Sequence, residues 1–391
     1  MNIEAMIPHI FDDIRPFTPE EMPAVLDELI NDPGFRNVIG TVFPQMPYEA
    51  FIAKAKSCKT PLDFQKAFCY PFLKQLAADK SKGVTMDSSA IDKTGNYTFI
   101  SNHRDIVLDS AFLSIVLLDN GFNNTTEIAI GDNLLIYPWI EKLVRLNKSF
   151  IVHRGLTIRQ QLSSSIQISR YMHYAIQEKK ENVWIAQRQG RAKDSNDITQ
   201  RSVIKMFGMG GEGNLIERLQ QLNLVPTAIS YEFDPCDYLK AKEMQQKRDN
   251  PDHKKAPDDD LINMRTGIFG WKGEVLYKAA PCLNTWLGTL DPNTPNNDIF
   301  LILRDKINSE IHKNYKLFPN NYIAADMLSG DDNWAAQGKY SAEDKTAFCD
   351  YLKERIALID LPNPDADYLQ EQILLMYANP LYNYYKAISE E

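Results

Sequence analysis

The sequence lacks an apolar run long enough to span a bilayer. Residues 111–118 are mostly apolar, but Ser114 interrupts them and the run is far shorter than the roughly 20 residues that a transmembrane helix needs. Residues 1–4 also lack the basic start and the apolar stretch of an export signal. We therefore expect a cytoplasmic protein, and any contact with a membrane is expected to be peripheral, on the inner face of the cell membrane.

Cysteine pairs and a serine nucleophile motif are also missing. The five cysteines are scattered and form no Cys-x-x-Cys pair, so neither a metal knuckle nor a disulfide framework is predicted. No Gly-x-Ser-x-Gly elbow is present, so a covalent serine intermediate is not predicted. Nothing in the sequence calls for a metal ion. The net charge of −9 argues against nucleic-acid partners, which need a basic face, but leaves room for a local basic pocket.

The chain of 391 residues, 44% apolar and 24% charged, has the composition of an ordinary globular protein. Short apolar stretches alternate with helical patterns, which predicts an α/β protein with a mixed, mostly parallel sheet flanked by helices. We expect a helical N-terminal extension over 1–90, the α/β domain over 91–330 and a C-terminal helical cap over 331–391. The charged stretch 234–262 is predicted to be a solvated helix-and-loop insertion.

The residues that could carry chemistry begin at a polar corner. Residues 97–100 have the pattern of a buried strand and residues 106–118 that of a core helix, and His103, Asp105 and Asp109 lie at their junction. Open α/β folds hold their functional groups at such strand ends. A carboxylate that accepts one ring N–H leaves the other histidine nitrogen able to take a hydroxyl proton. A histidine beside an aspartate is also common as a structural pair, so the corner alone decides nothing.

Cations follow two later strand patterns. Arg154 ends one of them, and Arg188, Arg191 and Lys193 follow another, with Gly190 as a flexible neighbour. A guanidinium presents a fork of donors that matches a phosphate. These residues therefore predict an anion-binding site, with a solvated basic turn as the alternative. His153, beside Arg154, is a second candidate for the same pocket.

The corner resembles the first sequence block of the glycerolipid acyltransferase family, in which Asn-His is followed by four residues and then Asp. Asn102 and His103 fit this block, but Leu108 stands where the family has its Asp. Asp109 is the favoured partner of the histidine because it lies at the head of the helix, as the Asp of the family does. Asp105 remains the alternative.

Later stretches resemble further blocks of the family in the same order. The stretch that ends at Arg154 resembles the second block, in which a strand delivers an arginine. Gln189, Gly190 and Arg191 align with the third block, Glu-Gly, one residue, then Arg, but Gln replaces the acid and the arginine directly follows the glycine. Residues 224–232 resemble the fourth block, which lines the acyl-donor side.

The resemblance implies transfer of an acyl group from a thioester to the hydroxyl of glycerol 3-phosphate or a lyso-phospholipid. The thioester, on coenzyme A or acyl carrier protein, would be a co-substrate, and no bound cofactor is expected. The resemblance assigns His103 as general base and Asp109 as the residue that orients it. The residues it assigns to substrate binding are Asn102, Arg154, Gln189, Gly190, Arg191 and Lys193. The expected partners are acyl-CoA or acyl carrier protein, glycerol phosphate or a lysolipid, and the membrane surface.

The departures from the family pattern keep other functions open. Gln189 in place of an acid favours a non-phosphate acceptor such as an amino-lipid. The displaced Asp109 favours a protein that binds lipid or acyl carrier without turnover. A thioesterase, in which water replaces the alcohol, is a further alternative. The distance from the His103 ring to each carboxylate and the convergence of Arg154, Arg191 and Lys193 would separate a catalytic site from a structural pair.

Overall fold

The computed structural model describes residues 8–256 and 258–390, so the residues 1–4 used above to judge export lie outside the described part. The described residues form a seven-stranded sheet in the order β1-β7-β6-β2-β5-β3-β4. The strands are β1 (Gly83–Asp87), β2 (Thr98–Ser101), β3 (Thr126–Gly131), β4 (Ser149–Val152), β5 (Asn182–Ala186), β6 (Leu224–Tyr231) and β7 (Glu274–Ala279).

Five neighbouring strands of the sheet, from β6 through β2, β5 and β3 to β4, run parallel to one another. Strand β7 is antiparallel to β6, and β1 pairs in parallel with β7. The sheet is therefore mixed and mostly parallel, which confirms the predicted fold class. Because the five strands are parallel, their carboxyl ends lie along one edge, where open α/β sheets hold their ligands.

Helices flank the sheet and form both ends of the chain. They are α1 (Met22–Ile30), α2 (Pro33–Val42), α3 (Tyr48–Ser57), α4 (Pro61–Phe64), α5 (Tyr70–Lys80), α6 (Leu108–Asp119), α7 (Pro138–Leu146), α8 (Ile158–Gln177), α9 (Arg201–Phe207), α10 (Leu215–Gln220), α11 (Asp237–Asp249), α12 (Asp259–Phe269), α13 (Asn284–Leu287), α14 (Asn296–Lys313), α15 (Pro319–Ser329), α16 (Asn333–Ala336), α17 (Ala342–Ala357) and α18 (Ala366–Ser389). Across residues 8–256 and 258–390, none of these combines the length and apolar content that crossing a bilayer would require.

The central strands are covered on both faces, which explains their continuous apolar sequence. In β2, Phe99 packs into a cluster with Phe112 of α6. The next residue, Ile100, points to the opposite face and packs with Ile168 and Tyr171 of α8. The strand that precedes the polar corner is thus clamped between two helices, and the corner is held on rigid elements.

The helices before the sheet share an apolar core of their own, which includes Leu29, Phe51 and Phe68. The helical path continues from α4 to α5 through a π-helical turn at Gln65–Cys69. This wide turn ends two residues before Pro71, whose missing N–H leaves a carbonyl of the preceding turn without its usual partner.

The sheet draws on residues earlier than the sequence analysis expected. Gly83–Asp87, which precedes the predicted start of the α/β domain at residue 91, is an edge strand that pairs in parallel with β7. The sheet therefore includes residues from the stretch 1–90 that was assigned to the helical extension. The division into 1–90, 91–330 and 331–391 itself stays a prediction.

The last helices form a fourth apolar cluster, in which α15, α17 and α18 pack together. The stretch 234–262 was predicted to be a solvated insertion, and for α11 this is wrong. Asp237, Lys240 and Ala241 of α11 are buried. Asp237 and Ala241 pack against the C-terminal helices, whereas the ammonium of Lys240 binds Asp234 and donates to the carbonyl of Arg104. Helix α12, by contrast, buries only Gly267 among its residues.

Candidate active site

His103 follows β2, the fourth of the seven strands in the order of the sheet. Its Nδ1 lies 2.8 Å from Oδ2 of Asp109, and the imidazole keeps 12% of its surface exposed while the Asp109 side chain is fully buried. A carboxylate only accepts hydrogen bonds, so it stabilises the tautomer with the proton on Nδ1. Nε2 of His103 makes no hydrogen bond to any described residue and is available as a base.

The carboxylate of Asp109 also shapes the backbone of the corner. Its Oδ2 accepts hydrogen bonds from the backbone N–H of Arg104 at 2.6 Å and of Asp105 at 3.0 Å. Asp109 lies in the first turn of α6, where the positive end of the helix dipole stabilises an anion. The chain from His103 onward therefore wraps around this carboxylate, which explains how five intervening residues still allow the contact.

Asp105, the alternative partner, has another task. Its Oδ1 accepts hydrogen bonds from the backbone N–H of Val107 at 2.9 Å and of Leu108 at 2.8 Å. These are donors at the start of α6 that the helix itself cannot satisfy. Burial, together with the charge of Asp109, raises the pKa of Asp105. Asp105 is thus a helix cap, and Asp109 is the partner of His103.

Asn102 was expected to bind substrate, and its contacts assign it to the sheet. Its Oδ1 accepts from the backbone N–H of Ile229 at 2.8 Å, and its Nδ2 donates to the carbonyl of Ile229 at 2.9 Å. The side chain is fully buried. Asn102 therefore extends the pairing of β2 with β6 by one step and holds the residue before His103.

Arg104, between the histidine and the helix cap, is also turned inward. Its guanidinium binds the carboxylate of Asp197 with two donors, at 3.0 Å and 2.6 Å. The hydroxyl of Tyr315 donates to the same carboxylate at 2.6 Å. This buried cluster ties the corner to the loop after β5 and to the helices of the C-terminal part.

Arg191 lies beside the corner. Its Nη2 donates to Oδ1 of Asn263 on α12 at 2.9 Å. One turn further along the same helix, Gly267 touches Asp105: a Cβ built on that glycine would lie 1.8 Å from Oδ2 of Asp105. Burial lowers the pKa of Arg191, but nearby acidic groups, Cys236 first and then Asp105, raise it by more. Arg191 therefore stays charged next to the His103 corner.

Two guanidinium nitrogens near this corner have unused donors. Nη1 of Arg191 and Nε of Arg188 are buried and have no hydrogen-bond partner among the described residues. Leaving such donors unpaired costs free energy unless a ligand or water satisfies them. The end of β5 thus offers donors for an anion.

Lys193 forms an ion pair away from the His103 corner. Its ammonium binds the carboxylate of Glu243 on α11, which also receives Lys247 at 2.8 Å and lies 4.0 Å from Lys255. Burial lowers the pKa of Lys193 to about 8, although Glu243 acts in the opposite direction. Lys193 follows Arg191 in the chain, but its charge is not brought to the corner.

Arg154 shares the carboxyl edge of the sheet but not the neighbourhood of His103. It follows β4, and β4 is three strands away from β2, which amounts to about 14 Å at the usual strand spacing. Its backbone N–H donates to Oδ1 of Asp132 at 3.0 Å. Its Nε approaches Gly131 so closely that a Cβ there would lie 3.1 Å away. Of the three cations that were expected to converge near His103, only Arg191 lies beside it.

Gln189 and Gly190 form an exposed turn. The backbone N–H of Gln189 donates to Oε1 of Gln200 at 2.7 Å, and the side chain of Gln189 makes no hydrogen bond to the described residues. Gly190 has a φ of +69°, a conformation that disfavours residues with a Cβ. These two residues set the path of the loop between Arg188 and Arg191.

Arg188 was predicted as one of the cations after β5, whereas Gln187 was given no role. Ser101 pairs with Ala186 in the sheet, so Gln187 lies level with Asn102 and Arg188 with His103. Gln187 is fully buried and its Nε2 has no hydrogen-bond partner among the described residues. Counting from the end of the β5 pattern, rather than from the nearest glycine, would have identified Gln187.

A second histidine and carboxylate pair occurs at the same edge. Nδ1 of His153 lies 3.1 Å from Oδ2 of Asp132, and the backbone N–H of Arg154 donates to the same carboxylate, as Arg104 does in the first pair. Nε2 of His153, however, lies 4.0 Å from a carboxylate oxygen of Asp13. His153 has an acidic group at both ring nitrogens and lies beyond the edge strand, which makes His103 the better base.

No protein-family model matches the sequence, and no curated protein matches it with significance. Among solved structures, the chain is similar to the 1-acyl-sn-glycerophosphate (LPA) acyltransferase PlsC from Thermotoga maritima. The two are 14% identical, the match covers 75% of this chain and 94% of that chain, and the TM-score is 0.35. Because a likeness at this level decides nothing about activity, we infer the function from the geometry of the chain itself.

Proposed function

We propose that this protein is an acyltransferase that moves an acyl group from a thioester, on coenzyme A or acyl carrier protein, to the hydroxyl of glycerol 3-phosphate or a lyso-phospholipid. The observation that carries the proposal is the His103–Asp109 pair, with 2.8 Å between Nδ1 and Oδ2. It lies at the carboxyl end of a central parallel strand and leaves Nε2 unengaged, as general-base catalysis requires. The resemblance of the surrounding sequence to the glycerolipid acyltransferase family agrees with this chemistry.

The chemistry proceeds without a covalent enzyme intermediate in this proposal. Nε2 of His103 takes the proton of the acceptor hydroxyl while the oxygen attacks the thioester carbonyl carbon. The C–S bond then breaks, an ester forms, and the leaving thiolate takes the proton back from the imidazolium. Asp109 holds the tautomer and stabilises the transient positive charge on the ring. Each proton that leaves the acceptor thus ends on the released thiol.

The acceptor phosphate is assigned to the end of β5. The unpartnered donors of Arg188 and Arg191 are suited to an anion, and Arg191 lies beside the corner that holds His103. Fixing the acceptor through its phosphate would hold the hydroxyl close to Nε2, and such positioning contributes several kcal/mol to catalysis. Arg154 and Lys193 have a smaller part in this proposal than the sequence assigned to them.

Substitution of His103 by alanine tests the mechanism. Purified protein is given palmitoyl-CoA and glycerol 3-phosphate or lyso-phosphatidate, and thiol release and ester product are measured. His103→Ala should lower turnover by about 10²–10⁴-fold, the usual contribution of a general base, with an unchanged circular dichroism spectrum. His9→Ala is the matched control, because His9 is paired with Asp12 at 2.9 Å on the exposed surface and should keep full activity.

Several results would contradict the proposal. Turnover like that of the wild type in a folded His103→Ala protein would remove the mechanism. Activity with an amino-lipid acceptor and none with phosphate acceptors would favour the non-phosphate acceptor. This alternative stays open because Lys193 is paired with Glu243 and Arg154 is far from His103. Ligand binding without product from any donor would favour a lipid- or carrier-binding protein. Hydrolysis alone would indicate a thioesterase.

We infer a reducing, cytoplasmic setting for this reaction. All five cysteines are unpaired, and Cys236 is buried. Free cysteines are typical of compartments that keep thiols reduced.

A further inference from the structure

Helix α12 exposes several large apolar side chains on its outer face. Toward the protein it turns Asn263 and Gly267, four positions apart on one face, and the partly buried Ile268, which packs against an apolar cluster. Gly267 is its only buried residue. The side chains that it turns outward are large and apolar. Leu261, Ile262 and Phe269 are 51%, 47% and 52% exposed, and Trp271, directly after the helix, is 48% exposed. A helix on a water-covered surface has the opposite arrangement.

The outward face is coupled to the candidate active site through the inward face. Asn263 binds the guanidinium of Arg191 at 2.9 Å, and Gly267 packs against the carboxylate of Asp105. The exposed apolar side chains therefore lie one helix diameter, about 10 Å, from the residues that would hold the acceptor. A lipid whose headgroup is bound by Arg191 would have its acyl chains within reach of this face.

The charges around this face fit an anionic surface. Arg265 is exposed and lies three or four residues from each of Ile262 and Phe269. Between Leu261 and Lys272 the sequence has no carboxylate, although the protein as a whole carries a net charge of −9. Lys80 and Lys82 lie alongside the end of this segment through backbone hydrogen bonds, and the ammonium of Lys82 is paired with Glu232 at 2.8 Å, which leaves Lys80 to add positive charge there. The carboxylates of 258–260 lie at the other end of the helix, where Asp260 is neutralised by Lys255.

We propose that the outward face of α12, formed by Leu261, Ile262, Arg265, Phe269 and Trp271, docks on an anionic lipid bilayer. The helix lies in the plane of the lipid headgroups with its apolar side chains inserted, as amphipathic helices do at membrane interfaces. The inference rests on the proposed function, because it is the lipid substrate that makes a bilayer the appropriate occupant. It adds the surface by which the site reaches that substrate.

Vesicle flotation of the full chain tests the docking surface. We expect binding to vesicles of phosphatidylglycerol and phosphatidylcholine, and much weaker binding to phosphatidylcholine alone. The double variant Ile262→Ser/Phe269→Ser should lower the bound fraction at least about tenfold, the order expected when two large apolar side chains no longer insert. Both positions are exposed, so the thermal midpoint of the free protein should stay unchanged.

The matched control is Ile158→Ser/Leu162→Ser, which removes two exposed apolar side chains from the first turns of α8. This variant should bind vesicles like the wild type. A second readout locates the contact: brominated lipids should quench tryptophan fluorescence, and Trp271→Phe, compared with the wild type at equal amounts of bound protein, should remove most of that quenching.

Equal binding by the α12 variant, loss of binding in the α8 variant, or no binding to anionic vesicles would each overturn the proposal. A dimer in sedimentation that disappears in the Ile262→Ser/Phe269→Ser variant would assign the face to a second copy of this chain instead. Vesicle binding needs no acyl donor, and His103→Ala should bind as the wild type does. Failure of the acyltransferase proposal and failure of the docking proposal are therefore distinguishable.

Discussion

At the scale of single residues, two carboxylates of one corner have different tasks. Oδ2 of Asp109 accepts three donors, including Nδ1 of His103 at 2.8 Å. Oδ1 of Asp105 accepts only backbone N–H groups at the head of α6. The charge of Asp109 therefore acts on the imidazole, whereas the cap of Asp105 needs an acceptor oxygen and no charge.

Replacing Asp105 tests this division. Its pKa is raised in the folded protein, so the folded state binds a proton that the unfolded state has already lost. The stability that Asp105 contributes is complete below its ordinary value of 3.8 and declines as pH rises through the raised value. Asp105→Asn keeps an acceptor oxygen and should remove this decline, which urea unfolding measured at a series of pH values would detect.

Asp105→Ala should instead lose the cap, at about 1 kcal/mol of unfolding free energy. Asp32→Ala is the matched control, because Asp32 caps α2 by accepting from Gly34 at 2.8 Å and Phe35 at 3.1 Å. It should lose a similar amount without any effect on turnover. An Asp105→Asn protein with an unaltered pH dependence of stability would contradict the assigned role.

At the scale of elements, the corner depends on how closely α12 approaches it. A Cβ on Gly267 would lie 1.8 Å from Oδ2 of Asp105, a distance that no packed structure allows. Gly267→Ala should push α12 away from the corner, lower the unfolding free energy by about 1–3 kcal/mol and reduce turnover, because Arg191 is bound to the same helix. Thermal unfolding and the thiol-release assay would measure both effects.

Gly40 is the control for this prediction. It also lies inside a helix, α2, and a Cβ built on it would meet no atom within 4 Å. Gly40→Ala should therefore stabilise the protein by roughly 0.5–1 kcal/mol, the helix propensity difference. A Gly267→Ala protein that gains stability in the same way would mean that α12 is not held against Asp105.

At the scale of the whole molecule, a buried charge on α11 helps to join the C-terminal helices to the rest. Asp237 of α11 accepts from Nε of Arg355 at 2.6 Å and from the hydroxyls of Tyr351 at 2.5 Å and Tyr377 at 3.0 Å. Burial raises the pKa of Asp237, and Arg355 acts against that rise. The side chains come from α11, α17 and α18, so the cluster couples these elements into one unit.

Arg355→Ala should leave the Asp237 carboxylate buried without its cation, which costs about 3–5 kcal/mol of unfolding free energy. Urea unfolding should show a lower midpoint, and turnover per folded molecule should fall little. Arg248→Ala removes an arginine from α11 that binds exposed Asp249 and Asp365, and it should change stability little. Equal effects of the two substitutions would argue against the coupling role of Asp237.

Much of the corner could be predicted because its signals are local. The apolar strand before Asn102, the apolar helix after Asp105 and the order of later strands lie in continuous stretches of sequence. The choice of Asp109 over Asp105 was also predicted, from its position at the head of the helix. Helices and parallel strands follow from such local periodicity, so the fold class followed as well.

Contacts between distant parts of the chain could not be predicted from the sequence. Asn102 was assigned to substrate, but its amide binds the backbone of Ile229, 127 residues away. Lys193 was assigned to a phosphate, but Glu243 holds its ammonium. Arg154 was expected in the same pocket, but the strand order separates it from His103 by three strands. No local pattern reports strand order or the partner of a side chain on another element.

The sequence by itself determined the strand and the helix that meet at His103 and favoured Asp109 over Asp105 as its partner, because these depend on residues close together in the chain. The alternation of strand and helix patterns also predicted a mostly parallel sheet. Only the tertiary structure decided which cation lies beside the histidine, which polar side chains serve the fold, and that α12 presents its apolar side outward. Those outcomes depend on strand order and on the packing of helices far apart in the chain, and the same local sequence is compatible with several such arrangements.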